Sequence, residues 1–80
     1  MKKSVHTDAQ KSLQSLLRSL RRKAGLTQVE LAKRLDTPHS RISNYERGER
    51  RMDIVQLRDY CLAVGITLTE FIELFEQSIE

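Results

Sequence analysis

The sequence predicts an all-α fold, a compact domain of five short helices. Apolar residues recur every three or four positions along most of the 80-residue chain, which is the period of a helix with one buried face. Helix-start patterns and glycines divide the chain into five segments. No segment alternates apolar and polar residues as a strand would. We expect one domain over residues 7–80, preceded by a flexible arm over residues 1–6.

The first helix is expected between Thr7 and Gly25. Thr7 and Gln10 have the spacing of a capping box, in which each side chain bonds the backbone N–H of the other. Gly25 supplies the left-handed backbone that often ends a helix. The apolar stripe of this helix consists of Leu13, Leu16, Leu17, Leu20 and Ala24.

The second and third helices follow closely. Thr27 and Glu30 form another capping-box pattern. The third helix is expected after Thr37, with Pro38 at its first helical position, where the missing N–H costs nothing. Gly48 ends it. The inward residues of the two helices are Leu31, Ala32, Leu35, Ile42 and Tyr45.

The fourth helix is expected between Asp53, paired with Gln56, and Gly65. The fifth begins at Thr67, paired with Glu70. The apolar residues expected to be buried on the fourth helix are Ile54, Leu57, Tyr60, Cys61 and Val64. The fifth helix carries Leu68, Phe71, Ile72, Phe75 and Ile79.

Composition excludes several classes of protein. Cys61 is the only cysteine, so the chain has no internal disulfide and suits the reducing cytoplasm. No apolar run approaches the roughly 20 residues of a membrane span. The sequence also lacks a metal-ligand cluster, a glycine-rich phosphate loop and a catalytic triad spacing. We therefore expect neither an enzyme, a cofactor, a metal nor a membrane partner.

The charge is distributed unevenly. The net charge is +3, but residues 1–51 hold 13 Lys and Arg against 5 Asp and Glu, and residues 52–80 hold 1 against 6. A basic front and an acidic back are typical of a chain that turns one face toward a polyanion. Scattered, solvated surface charge is the simpler alternative.

The most informative segment is 27–48, where two helices of about eight residues are joined by a turn of about three. So short a connection favours a steep crossing, the helix-turn-helix geometry. From Leu13 to Phe71 the chain resembles the lambdoid phage repressor and Cro-type helix-turn-helix family, often called XRE-type. The matching residues are Leu20-Arg21, Gly25-Leu26-Thr27-Gln28, Glu30-Leu31-Ala32, Ile42-Ser43 and Tyr45-Glu46-Arg47-Gly48.

The resemblance implies that the third helix, about residues 38–46, lies in the DNA major groove and reads base edges. Asn is able to form a bidentate pair with adenine, and Arg41 is close enough to reach guanine or a phosphate. The residues that the resemblance places at base-reading positions are Pro38, His39, Ser40, Arg41 and Asn44.

The resemblance also implies contacts to the DNA backbone. Thr27 and Gln28 open the preceding helix, where free N–H groups favour a phosphate. The phosphate-contacting arginines are Arg47, Arg50 and Arg51.

Two family positions have structural roles. Arg21 and Glu46 match an internal ion pair that ties the first helix to the recognition helix. Asp36 stands where the family usually has glycine, and we expect it in a left-handed conformation, which Asp tolerates better than most residues.

The fifth helix is more apolar than one core-facing side requires. Ile72, Phe75 and Ile79 are therefore candidates for a two-fold dimer interface. The alternative is that the last turn folds back on the first helix. In the family, the dimer places two recognition helices about one DNA turn, roughly 34 Å, apart on a near-palindromic operator.

The sequence thus predicts a cytoplasmic, homodimeric, sequence-specific transcriptional regulator of double-stranded DNA, most simply a repressor. One alternative is an antitoxin that also binds a toxin and represses its own operon. A second is a helical protein-interaction adaptor that retains the fold without binding DNA.

Overall fold

The computed structural model describes the backbone of residues 2–79 and the side chains of residues 8–79. Within this range the chain forms five α-helices and no strand. In this range none of the helices is long and apolar enough to cross a membrane. The all-α, five-helix prediction is confirmed. The helices are α1 (Lys2–Lys23), α2 (Gln28–Arg34), α3 (His39–Glu46), α4 (Ile54–Ala63) and α5 (Leu68–Ser78).

Helix α1 begins earlier than the sequence predicts. It runs without a break from Lys2, so the expected start at Thr7 is wrong, and Thr7 lies inside the helix. Residues 2–6 contain neither Gly nor Pro, and nothing in them opposes helix continuation. These residues, expected as an arm, therefore extend α1. Their flexibility stays a prediction, and Met1 lies outside the described residues.

Three of the four predicted capping boxes are present, at α2, α4 and α5. At α2, the Thr27 hydroxyl accepts from Glu30 N–H at 3.1 Å, and the Glu30 carboxylate accepts from Thr27 N–H at 2.8 Å. Each such box satisfies two backbone donors that the helix leaves free. The boxes fix the starting residue of all three helices.

Helix α3 begins one residue later than predicted. Pro38 has extended backbone (φ −62°, ψ 145°) and occupies the N-cap rather than the first helical position, so Thr37 is not the cap. No side chain caps this helix. The first backbone N–H groups of α3 are therefore left for other partners.

The turn before α3 depends on a left-handed residue. Asp36 has φ 51° and is the one residue other than glycine with positive φ in the described chain. The Asp36 N–H donates to the Lys33 carbonyl, and the Thr37 N–H donates to the Ala32 carbonyl, at 3.2 and 3.0 Å. These bonds end α2 and direct the chain into α3, as expected from the sequence.

A single cluster of buried side chains joins all five helices. Ala32 of α2 is buried, and α2 packs against α3. Helix α1 contacts both α3 and α5, and α4 contacts α5. Burial raises the pKa of the Cys61 thiol to about 11, so this side chain is a protonated core residue rather than a nucleophile. The fully buried hydrophobic residues are Leu17, Leu31, Ile42, Tyr60, Cys61 and Phe71.

Two residues expected in the core lie outside it. Ala24 follows the end of α1 and is exposed. Ile54 is the first residue of α4 and is 60% exposed. Both stand at helix ends, where the chain direction changes and helical periodicity no longer determines which side is buried.

Replacing Asp36 with glycine tests the left-handed turn. We expect Asp36→Gly to leave the free energy of unfolding unchanged or to raise it, by up to about 1 kcal/mol, because left-handed backbone strains every residue with a Cβ. Asp36→Val should be clearly destabilising, since β-branched residues tolerate this region least. Urea unfolding measures both variants. A clear loss of stability in Asp36→Gly would contradict the assignment.

Candidate nucleic-acid interface

The carboxylate of Glu46, at the end of α3, is the centre of a buried polar network. Glu46 is 1% exposed. Arg21 of α1 donates from Nε to Glu46 Oε2 at 2.6 Å and from Nη2 to Oε1 at 3.0 Å. The ion pair expected from the resemblance is thus present and bidentate. A third Arg21 nitrogen donates to the Leu26 carbonyl at 2.8 Å, which holds the α1–α2 connection.

The same carboxylate reaches two further helices. Gln28 of α2 donates from Nε2 to Glu46 Oε1 at 3.1 Å. The hydroxyl of Tyr60, on α4, lies 3.2 Å from Glu46 Oε2 and 2.9 Å from the Leu17 carbonyl of α1. Glu46 therefore links α1, α2, α3 and α4 through side-chain hydrogen bonds.

The network keeps Glu46 ionised despite its burial. Burial alone would raise the pKa of the carboxyl, but hydrogen bonds from Arg21 and Gln28 and the Arg21 charge hold the pKa below the ordinary value of 4.5. The hydrogen bond to Glu46 likewise raises the pKa of Arg21. Burial and the Glu46 charge raise the pKa of the Tyr60 hydroxyl. Glu46 is therefore a buried anion that accepts hydrogen bonds and donates none.

The network extends to the surface at the start of α3. His39, the first residue of α3, has Nε2 at 3.3 Å from Gln28 Oε1. Gln28 was expected to contact a DNA phosphate, and His39 to face bases. The structure places the two side chains next to each other. The amide nitrogen of Gln28 also donates to the buried carboxylate of Glu46.

The other outward residues of α3 form a second group. Arg47 donates to Ser43 Oγ at 2.6 Å and to Asn44 Oδ1 at 2.8 Å. It also pairs with Glu49 at 3.1 Å, where both side chains are more than half exposed. Arg47 thus orients the candidate base-reading amide of Asn44, and its expected phosphate contact stays a prediction.

Arg50 and Arg51 lie in the loop after α3. Both are exposed, and they line a cleft of about 730 Å³ together with Lys11 of α1. Neither arginine forms an ion pair within the part of the chain whose side chains are described. Their charges are available to a polyanion at this edge of α3.

Arg41 lies apart from the other candidate base-reading residues. It lines a different cleft, beside Asp36 and the α4 residues Gln56 and Asp59. The structure brings His39 to Gln28 and Asn44 to Arg47, whereas Arg41 lines a cleft that also contains Asp36 and Asp59. A base contact by Arg41 remains only a prediction.

The remaining candidates are at the surface. Pro38 and Ser40 are exposed beside His39, and the Thr27 hydroxyl is occupied by its capping box. Ile72 of α5 is 41% exposed, and Ile79, the C-cap residue of α5, is 39% exposed. Phe75 is half-buried and stacks on Phe71 at 6.5 Å between ring centroids.

Comparisons with known proteins agree on the family. The helix-turn-helix family profile matches residues 17–71. An XRE-family-like protein from Pseudomonas syringae pv. tomato is 36% identical over 95% of this chain and 93% of its own, with a TM-score of 0.86. The chain belongs to the XRE-type helix-turn-helix family.

Two further solved structures have the same fold. The clp gene regulator ClgR from Corynebacterium glutamicum is 26% identical, with a TM-score of 0.78, and the match covers 90% of this chain and 92% of that one. The restriction-modification controller protein C.Esp1396I is 22% identical, with a TM-score of 0.81 over 89% and 93%. Comparison with curated proteins finds no significant match. As an XRE-family member, the protein is a DNA-binding transcriptional regulator and not an enzyme.

Sequence reasoning missed several residues of this XRE-family site. The sequence predicts only a core position for Tyr60, yet its hydroxyl lies 3.2 Å from Glu46 Oε2. Lys11 stands 39 positions before Arg50, and only the packing of α1 shows that they share a cleft. Ser43 lies one helical turn after His39, and this spacing alone places it on the outward face.

Removal of the Arg21 side chain should lower the stability of the protein. Any loss of DNA binding should be a consequence of that lower stability. We expect Arg21→Ala to lower the free energy of unfolding by roughly 3–5 kcal/mol, because Glu46 would be left buried and unpaired. Arg22→Ala, at the exposed neighbouring position, is the matched control and should change stability by less than about 0.5 kcal/mol. Thermal unfolding and a DNA shift assay together decide. Normal melting with lost DNA binding would instead make Arg21 a DNA contact.

The lowered pKa of Glu46 predicts acid sensitivity. A carboxyl whose pKa is lowered on folding stabilises the protein above its unfolded pKa, and this contribution is lost as pH falls through the folded pKa. The advantage of wild type over Glu46→Gln should therefore be constant near neutral pH and shrink below about 4.5. Urea unfolding across this range measures it, with Glu49→Gln as the exposed control. A constant difference down to about pH 3 would contradict the lowered pKa.

Proposed function

We propose that the protein is a sequence-specific repressor that places α3 in the major groove of double-stranded DNA. The observation that carries this proposal is the outward row of polar side chains on α3, backed by the Glu46 network. His39 and Asn44 are held by Gln28 and Arg47 respectively. A side chain fixed before binding loses less conformational entropy on contacting a base.

Charge supports the same orientation of α3 toward DNA. Arg47, Arg50 and Arg51 follow directly after the recognition helix and are exposed. Segment 52–80 has a net negative charge, because it holds 6 Asp and Glu residues and Arg58 is its one basic residue. Phosphate contacts by the arginines would fix the register of α3, and base contacts would supply specificity.

Occupation of an operator is the simplest route to regulation by this chain. Polymerase would be excluded from an overlapping promoter, and the protein would act in the compartment that holds the DNA. ClgR, which is named as a regulator of clp genes, supports a role in transcription. An antitoxin or an adaptor would need, in addition, a surface for a second protein.

The salt dependence of binding tests the phosphate contacts. Selection of random duplexes on the purified protein provides the preferred site. Each of Arg50→Ala and Arg51→Ala should weaken binding to all duplexes and reduce the slope of log affinity against log salt by about 0.9, because one phosphate fewer is neutralised. Arg58→Ala on α4 is the charge-matched control and should leave the slope unchanged. Equal slopes in all four proteins would contradict phosphate contacts by the loop.

We place the two-fold interface of a homodimer on α5, around Ile72, Phe75 and Ile79. Ile72 and Ile79 are exposed, and Phe75 is half-buried with one side stacked on Phe71. A small domain also buries a limited share of its surface, so association adds stability. C.Esp1396I is described as a tetramer on its natural 35 base-pair operator, and an assembly of copies on a near-palindromic site is what we propose here.

A charged residue in the α5 surface should break the dimer. We expect Ile72→Glu to sediment as a monomer at micromolar concentration, because a carboxylate cannot be buried unpaired against its own copy. Leu62→Glu, at an exposed apolar position of α4 beside Arg34, is the control and should remain dimeric. A wild type that is strictly monomeric with and without DNA would contradict the interface.

A further inference from the structure

Two hydrogen bonds connect Glu46 to the surface, one from Gln28 to Glu46 and one between His39 and Gln28. The chemistry of these groups determines which atom donates in each bond. Glu46 is ionised and accepts only. The Gln28 atom that faces it must therefore be the amide nitrogen, which donates at 3.1 Å. The Gln28 oxygen is then the atom turned toward His39, at 3.3 Å from Nε2. An amide oxygen only accepts, so His39 Nε2 must carry a proton.

This order determines what His39 offers to a ligand. In a neutral imidazole one nitrogen carries the proton and the other accepts. With the proton on Nε2, Nδ1 is an acceptor. Within the part of the chain whose side chains are described, Nδ1 has no hydrogen-bond partner, and the His39 side chain is exposed. Through Gln28, the buried Glu46 carboxylate thus determines that Nδ1 of His39, an atom at the surface, is an acceptor.

The major groove presents a matching distinction. Adenine and cytosine each present an exocyclic amine there, a hydrogen-bond donor, whereas guanine and thymine present carbonyl oxygens, which accept. An acceptor on the protein pairs with the amines and is left unpaired opposite the carbonyls. The two classes of base, amino and keto, are therefore distinguishable by one nitrogen atom.

We infer that neutral His39 is a specificity-determining residue that selects an amino base, adenine or cytosine, on the contacted strand through Nδ1, and that Gln28 and Glu46 are the positioning residues that impose this choice. The inference rests on the proposed function, since it assumes that α3 faces the major groove. It adds the chemical class of base recognised at one operator position.

The tautomer of His39 is measured without DNA. In alkaline buffer, where imidazoles are neutral, nitrogen NMR of the full-length protein should show His39 with its proton on Nε2 and a bare Nδ1. His6→Ala removes the only other histidine and assigns the signal. A proton on Nδ1 would overturn the inference, whatever the protein does with DNA.

The preference for amino bases is measured on the selected operator. The position that His39 controls is the one whose preference relaxes in His39→Ala. At that position, wild type should bind adenine and cytosine more tightly than guanine and thymine, by roughly 5- to 150-fold, the effect expected of one unsatisfied polar group. Replacing the adenine by purine, which lacks only the amine, should cause a similar loss. 7-Deaza-adenine, which lacks the N7 acceptor and keeps the amine, should bind normally.

Two variants separate the positioning residues from the contact itself. Gln28→Ala frees Nε2 to donate and should reduce the ratio of amino to keto binding at this position toward one, in addition to any general loss of affinity. Asn44→Ala should leave that ratio unchanged and relax a different base pair. A preference for keto bases in wild type, or a ratio unaffected by Gln28→Ala, would overturn the inference and leave the proposed function standing. Failure to select any duplex would overturn the proposed function itself.

Discussion

The buried carboxylate of Glu46 is the interaction on which the rest of the structure depends. It is ionised inside a domain of 80 residues, where an unpaired charge would cost several kcal/mol. Arg21, Gln28 and Tyr60 compensate for this burial from three different helices. The group that holds α3 in place is therefore the same group that requires those three partners. The stability of the domain and the orientation of α3 are coupled.

The coupling extends from the interior to the surface because hydrogen bonds have a donor and an acceptor. Hydrophobic packing of Ile42 and Ala32 holds α3 in place, but apolar contacts do not determine which polar atoms donate and which accept. The Glu46 carboxylate requires a donor from Gln28, and the Gln28 oxygen then requires a donor from His39. Under the proposed function, core residues that do not touch DNA would thus determine base preference at the position that His39 contacts.

The sequence predicts most of the fold because the signals are local. Three capping boxes and the left-handed Asp36 follow from residues within four positions of one another. Local signals also explain the errors: the Thr7–Gln10 pattern has the right spacing, but helix-compatible residues precede it, and α1 continues through it. The Arg21–Glu46 pair was available only through family resemblance. Tyr60 could not be predicted as its partner, because contact across 14 positions depends on how α3 and α4 pack.

The central role of Glu46 is tested most directly by a double-mutant cycle with Arg21. Urea titrations give the free energies of unfolding of wild type, Arg21→Met, Glu46→Gln and the double variant. If Glu46 is the compensated charge at the centre of the fold, the double variant should lose less stability than the two single variants combined. The expected coupling is about 1–3 kcal/mol. Strictly additive losses would contradict this role of Glu46, because they would mean that the two side chains stabilise the protein independently.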